Sequence, residues 1–238
     1  MIDRYNTTAK VFPLLILGGP FILIVYIIYD FPINVENVGI LSFMSMAYVF
    51  GLSQWIRSQG KKAEAKLFEQ WGSKPTTLLL RRSSKSLGKD IKKEVFKKAM
   101  VWYGIKRPSK EEEEKNVIKS DQKIDAVVRK MIESTRIKDQ FPVVFDELCT
   151  YGFWRNLYSV RKQAVWITIA FMLIINIEAI FNCGYLFVEL TNIHLILSNS
   201  ILVVNLFVIY NYSNTNRIKE QGYRYAKALF KAFTGARE

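Results

Sequence analysis

Four blocks of this chain stay apolar over lengths that no half-buried helix face requires. Val11 to Tyr29, Val38 to Ile56 and Ile193 to Tyr212 hold no Lys, Arg, Asp or Glu, and Ala164 to Asn182 holds only Glu178. Nineteen residues at about 1.5 Å rise just cross a hydrocarbon core of roughly 30 Å. The blocks pair around two short turns, 30–37 and 184–192, and so predict two transmembrane hairpins. Pro13 falls in a first turn, where a missing N–H costs little, whereas Gly18, Gly19 and Pro20 should loosen the first span from within. DFPINVEN after Tyr29 offers no small-residue cleavage site, so this block should remain as a span rather than act as a leader.

Between the hairpins the pattern becomes amphipathic. SQGKKAEAKLFEQWG reads as a helix extending the second span and stopped by Gly72, after which Thr76 or Thr77 can cap the next segment. From Lys89 to Tyr103, Ile91, Val95, Ala99 and Trp102 recur at helical spacing with Lys89, Lys93 and Lys97 on another face, and Pro108 is the expected stop. The acidic run 111–114 precedes another helical pattern, Val117 to Ile137. Val143 to Lys162 should lead into the third span, with an irregularity at Gly152. The predicted fold is an all-α membrane protein with four transmembrane helices and a helical cytoplasmic domain. Its parts are residues 1–56 (first hairpin), 57–163 (basic domain), 164–212 (second hairpin) and 213–238 (basic tail helix).

Charge sets the orientation. Residues 57–163 hold 26 Lys plus Arg against 14 Asp plus Glu, nearly the whole of the chain's net +13, while neither short turn has a base. The excess places the central segment and both termini on the cytoplasmic side. A surplus of that size calls for an anionic neighbour: membrane lipid, nucleic acid or a phosphorylated ligand. Cys149 and Cys183 fall in different contexts, and His194 is the one histidine of 238 residues, so a disulfide framework, a zinc site and a His-dependent triad are all disfavoured. The sequence has no Walker loop, HExxH or GxSxG, which argues against an enzyme and against a bound cofactor.

Two constellations remain. Glu178 lies about fourteen residues, roughly 21 Å, into its span, flanked by Asn176 and Asn182. His194, Ser198 and Asn205 share one face of the fourth span, with Asn199 adjacent. An intramembrane carboxylate faces a bundle interior, a partner or water. These groups either line a hydrated path in an oligomer or join helices through hydrogen bonds. The second constellation is basic: Lys74, Thr76, Thr77, Arg81 and Arg82, with aromatic planes available nearby. It suits phosphate oxygens and stacked bases, and equally a lipid headgroup surface.

WGSKPTTLLLR (71–81) and YGFWRN (151–156), bracketed by two hairpins, resemble the signatures of small four-span bacterial effectors of antiphage defence, most closely the Hailong-type effectors encoded beside a nucleotidyltransferase. Ser73 stands where that signature has a second glycine. The resemblance implies a pore-forming effector, an inner-membrane ion channel in a homo-oligomer, taken as a tetramer. Its opening would depolarise an infected cell, an abortive-infection outcome. It also implies a cytoplasmic domain that binds a nucleotide or single-stranded DNA oligonucleotide made by the neighbouring nucleotidyltransferase. Lys74, Thr76, Thr77 and Arg81 match the first motif; Tyr151, Arg155 and Asn156 match the second, and Arg155 and Asn156 join the ligand set. The alternative is a non-conducting membrane adaptor that docks a cytoplasmic partner or anionic lipid.

Overall fold

A computed structural model describes residues 4–29, 35–181, 192–212 and 214–235 of the chain, with the side chains of 29, 35–48 and 212 outside that set. The described residues are helical, with no strand among them. In chain order, α1 is Arg4–Asn6, followed by a π-helical turn, Thr7–Val11, then α2 Phe12–Tyr29, α3 Val35–Trp71, α4 Pro75–Leu80 and α5 Lys89–Tyr103. The remainder are α6 Lys110–Lys115, α7 Val117–Ser134, α8 Pro142–Ser159, α9 Arg161–Phe181, α10 Asn192–Tyr212 and α11 Thr215–Gly235. Among the described residues, three helical stretches are long and apolar enough to cross a membrane: Arg4–Ile28, Arg161–Phe181 and Asn192–Asn211. The expected span from Val38 to Ile56 lies inside α3, a single helix that continues to Trp71.

The chain divides into two compact units, residues 1–63 with 152–214, and 64–151 with 215–238. The first, a membrane unit, packs α2, α9 and α10 together. Ile24 and Ile28 of α2 meet Ile175 of α9 and Leu202 of α10, and the Phe21 and Phe171 rings cross edge to face at 5.1 Å. Outward positions are large and apolar, with Trp166 71%, Ile180 76% and Tyr210 85% exposed. A surface of that kind is stable against acyl chains or other spans, not against water.

The second, a helical unit, has a conventional dry core. Leu79 and Leu80 of α4, Val95, Phe96 and Ala99 of α5, and Ile124, Val127, Val128 and Met131 of α7 close around Ala226, Leu229, Phe230 and Phe233 of α11. The terminal helix is therefore not a separate basic tail. Its apolar positions recur at three and four residues, the spacing that gives a helix one buried stripe, and that stripe supplies the middle of this core.

Local chemistry sets the boundaries. Gly72 has φ 80°, a left-handed conformation that costs glycine little, and ends α3 where the sequence places the stop. Gly104, at φ 66°, ends α5 four residues before Pro108: its N–H donates to Met100 O, and the Ile105 N–H donates to Ala99 O. Helix α4 begins on Pro75 with Lys74 as its flanking residue, so Thr76 and Thr77 sit inside the helix, buried, and neither caps it. The acidic run forms its own short helix. Ser109 accepts from the Glu112 N–H at 3.1 Å and the Glu112 carboxylate accepts from the Ser109 N–H at 3.0 Å. The break before the third span falls at Val160, between α8 and α9, while Gly152 lies unbroken within α8.

Candidate functional site

In the first unit the polar groups of α9 and α10 occupy one seam. Helix α10 buries Ser198, Leu202, Asn205 and Ile209, at alternating spacings of four and three, and α9 buries Ala164, Thr168, Ile175 and Glu178. Such spacing keeps one stripe of each helix turned inward. Asn176 Nδ2 donates to Asn199 Oδ1 at 2.9 Å and Asn199 Nδ2 to Asn176 Oδ1 at 3.3 Å; each amide also donates to a carbonyl one turn back, on Met172 and Leu195. Deeper along the seam, Asn205 Nδ2 reaches the Thr168 hydroxyl at 3.4 Å, and that hydroxyl donates to Ala164 O. Glu178 is 7% exposed, His194 is partly buried, and the fully buried Ser198 Oγ has no hydrogen-bond partner. The expected pore-facing groups Asn176, Glu178, His194, Ser198, Asn199 and Asn205 thus belong to the same helix pair, and most are closed within the chain itself. Asn182 lies outside the described residues. Thr168, the partner of Asn205, is a member that the sequence reading passed over, although it lies four residues after the buried Ala164.

The second motif has a local role in the same unit. Asn156 is completely buried and donates to the Ala9 carbonyl of the π-helical turn at 2.6 Å, while Arg155 Nε and Nη2 donate to Asn156 Oδ1, both at 3.2 Å. A β-carbon on Gly152 would stand 2.9 Å from Ala9 Cβ, and one on Gly60 would stand 2.0 Å from Asn156 Oδ1. Glycines at 152 and 60 therefore let the chain close around this amide. Arg155 and Asn156, expected as ligand-binding residues, are buried in that clamp.

The first motif belongs to the helical unit. Thr77 donates its hydroxyl to Asp125 Oδ1, and Lys74 Nζ stands 2.5 Å from Asp125 Oδ2. Arg81 is paired with Asp121 and also donates to Gly72 O at 3.1 Å. The hydrogen bond to Asp121 and the nearby carboxylate charge raise the Arg81 pKa against the effect of burial. Three expected ligand side chains thus pair with two carboxylates of α7, with Lys74 still half exposed. The motif's open edge faces a cleft of about 170 Å³, lined by Lys74, Thr76, Arg129, Glu64, Tyr151 and Tyr225. Tyr151 donates to Glu64 Oε1 at 2.6 Å and stacks on Tyr225, with ring planes 17° apart. Arg129 has no ionic or hydrogen-bonding partner among the described residues. The cleft therefore brings one residue of each motif, Thr76 and Tyr151, to a single place with an aromatic wall and an uncommitted guanidinium. Arg82 lies apart from it, on the turn after α4.

Among the described residues no group of His, Cys, Asp and Glu is placed to hold a metal ion. No protein-family model matches the chain, and neither a curated protein nor a solved structure matches it.

Proposed function

We propose that this chain is a pore-forming membrane effector of bacterial antiphage defence. In this reading it crosses the inner membrane four times, with both termini and the helical unit on the cytoplasmic side, and works as a small homo-oligomer, taken as a tetramer. A nucleotide or single-stranded oligonucleotide from a neighbouring nucleotidyltransferase would bind the helical unit through Lys74, Thr76 and Arg129 beside Tyr151. It would act only through its different affinity for the open and closed forms. Residues 143–163 run directly into the Arg161–Phe181 span and give that preference a route along the chain.

The observation that supports this reading is the polar seam of α9 and α10: a carboxylate, five carboxamide or hydroxyl side chains and a histidine on two helices of membrane-crossing length. An intramembrane ionisable group faces a bundle interior or water and marks an ion path or proton relay by default. In this reading the bonds of Asn176 to Asn199 and of Asn205 to Thr168 would belong to a shut form. Opening would part the two helices and exchange those bonds for water. The same internal bonding is what favours the second reading, a non-conducting adaptor in which the amides only join helices and the basic unit docks a partner or anionic lipid. Conductance of the purified chain in liposomes separates them. An effector passes current, and Glu178→Gln and Asn205→Leu alter it while ligand binding persists; a wild-type chain that never conducts, or currents unmoved by both variants, removes the pore.

A further inference from the structure

The turn leaving α4, helix α5 and the stretch entering α6 gather three cations around one acid. Arg82 donates through Nε and Nη2 to the Pro108 carbonyl at 3.1 and 3.0 Å, and its backbone N–H donates to Glu113 Oε2 at 2.9 Å. From α5, Lys92, only 2% exposed, donates to the carbonyls of Arg81 and Ser84, both at 2.6 Å. Those two bonds leave one of its three protons unused. Arg107 lies over the Phe96 ring at 5.2 Å, yet its Nε is shut from solvent with no hydrogen-bond partner. Glu113 Oε1 is buried and unbonded as well, 4.0 Å from Arg82 Nε.

The charges do not balance. Arg81 is answered by Asp121, but Arg82, Lys92 and Arg107 share the single carboxylate of Glu113, leaving two positive charges over. Burial first, and then Arg107, hold Lys92 below its ordinary range; burial first, and then Arg82, do the same to Arg107. Uncompensated buried charge is unfavourable unless an anion joins it. Arg82, with 40% of its side chain exposed, leaves the cluster open on one side.

We propose that Arg82, Lys92 and Arg107 form a phosphoryl-binding site, distinct from the cleft at Thr76 and Tyr151. A phosphate monoester dianion matches the surplus of two charges, and its three terminal oxygens match the three unused sets of donors. Arg107 supplies the idle guanidinium, Lys92 its remaining ammonium proton, and Arg82 the Nη1 edge that Pro108 does not occupy. Glu113 holds Arg82 through its backbone N–H and opposes overloading. The site deepens the ligand-reading half of the proposed function, and only the ligand's origin rests on that reading. Its test reads binding without conductance, so the two can fail separately.

The test is a ³¹P NMR titration of the full chain in detergent with inorganic phosphate, at constant ionic strength made up with chloride. Flotation on phosphatidylcholine vesicles with and without phosphatidic acid runs beside it. The wild-type chain should bind phosphate, Arg107→Gln should weaken binding about tenfold through loss of one charge-assisted contact, and Lys97→Gln, on the exposed face of α5, should leave it unchanged. Glu113→Gln separates the site from an internal Arg107–Glu113 pair, because removing the competing acid should tighten phosphate binding. Binding of free phosphate assigns a soluble ligand; Arg107-sensitive retention on phosphatidic acid vesicles alone assigns a lipid headgroup. The proposal is overturned if neither probe binds, if Arg107→Gln and Lys97→Gln weaken binding equally, or if Glu113→Gln leaves it unchanged or weaker.

Discussion

Arg81 meets Asp121 at two points, Nε 2.8 Å from Oδ1 and Nη2 2.5 Å from Oδ2. Both side chains are mostly buried, at 21% and 16% exposure, so the pair is screened less than a surface ion pair. With Asp125 holding Lys74 and Thr77, α7 grips a six-residue helix at both ends, which a helix of that length needs because it is unstable alone. Asp121→Asn should therefore lower the stability of the helical unit by about 1–3 kcal/mol, after allowance for solvent at the pair. Chemical denaturation followed by circular dichroism measures it, and an unchanged midpoint contradicts the grip.

Gly222 should not tolerate a side chain. A β-carbon there would stand 2.8 Å from Pro75 Cγ and 3.4 Å from Tyr151 Cε2. Gly222→Ala should destabilise the unit by about 1–3 kcal/mol, as over-packing generally does. It should also disturb the Tyr151–Tyr225 stack, visible as a change in near-ultraviolet dichroism. Retention of both the stability and that spectrum would show that the backbones approach less closely.

Loss of α11 should unfold its unit rather than trim it. Phe230 and Phe233 are fully buried among α4, α5 and α7 residues, and Phe230→Ala should cost about 3–5 kcal/mol. Limited proteolysis within 89–134, fast in the variant and slow in the parent, is the check.

Lys92 makes the helical unit respond to alkaline pH in an unusual direction. Burial is the main reason that its folded pKa lies below the ordinary 10.5, and repulsion by Arg107 adds to it. Between that lowered value and 10.5 the unfolded chain holds more protons than the folded one, so this residue's contribution rises with pH across the window and is flat below it. Unfolding free energies taken at a series of pH values should show the rise in the parent and lack it in Lys92→Met. Parallel curves would remove Lys92 as the source.

Within the second hairpin, Asn176→Leu strands the Asn199 amide beside lipid-length apolar walls. The expected loss is about 0.6–2 kcal/mol of helix association, the range for such bonds in membranes. Forced unfolding in bilayers measures it, and Asn176→Leu with Asn199→Leu should recover part of the loss because no amide is left unpaired.

The helices themselves were legible in the residues, because long apolar runs and the 3.6-residue recurrence of Val95, Ala99 and Trp102 come from one dominant physical effect, burial. Gly72 marked its turn for an equally local reason. What the sequence hid was partnership. Lys74, Thr77 and Arg81 look like phosphate ligands when Asp121 and Asp125, 40 to 51 positions away, are not seen to face them. Asn156 looks like a surface amide until the Ala9 carbonyl meets it. The aromatic and basic residues of α11 read as a tail, because its alternation of charge and Phe does not say which neighbour covers the apolar stripe. Lys92, one lysine among several on α5, gave no sign that it alone turns inward. Nothing in the sequence joins Tyr151 to Thr76, since contact across such a separation is a property of packing.

The unbonded hydroxyl of Ser198 sets where the α9–α10 seam would first take up solvent. Its neighbours along the interface have satisfied one another and resist hydration, whereas this oxygen gains an interaction the moment a single water arrives. Any parting of the two helices therefore meets its least opposition at that level, and a larger apolar residue there should delay the first wetting without touching a single existing bond.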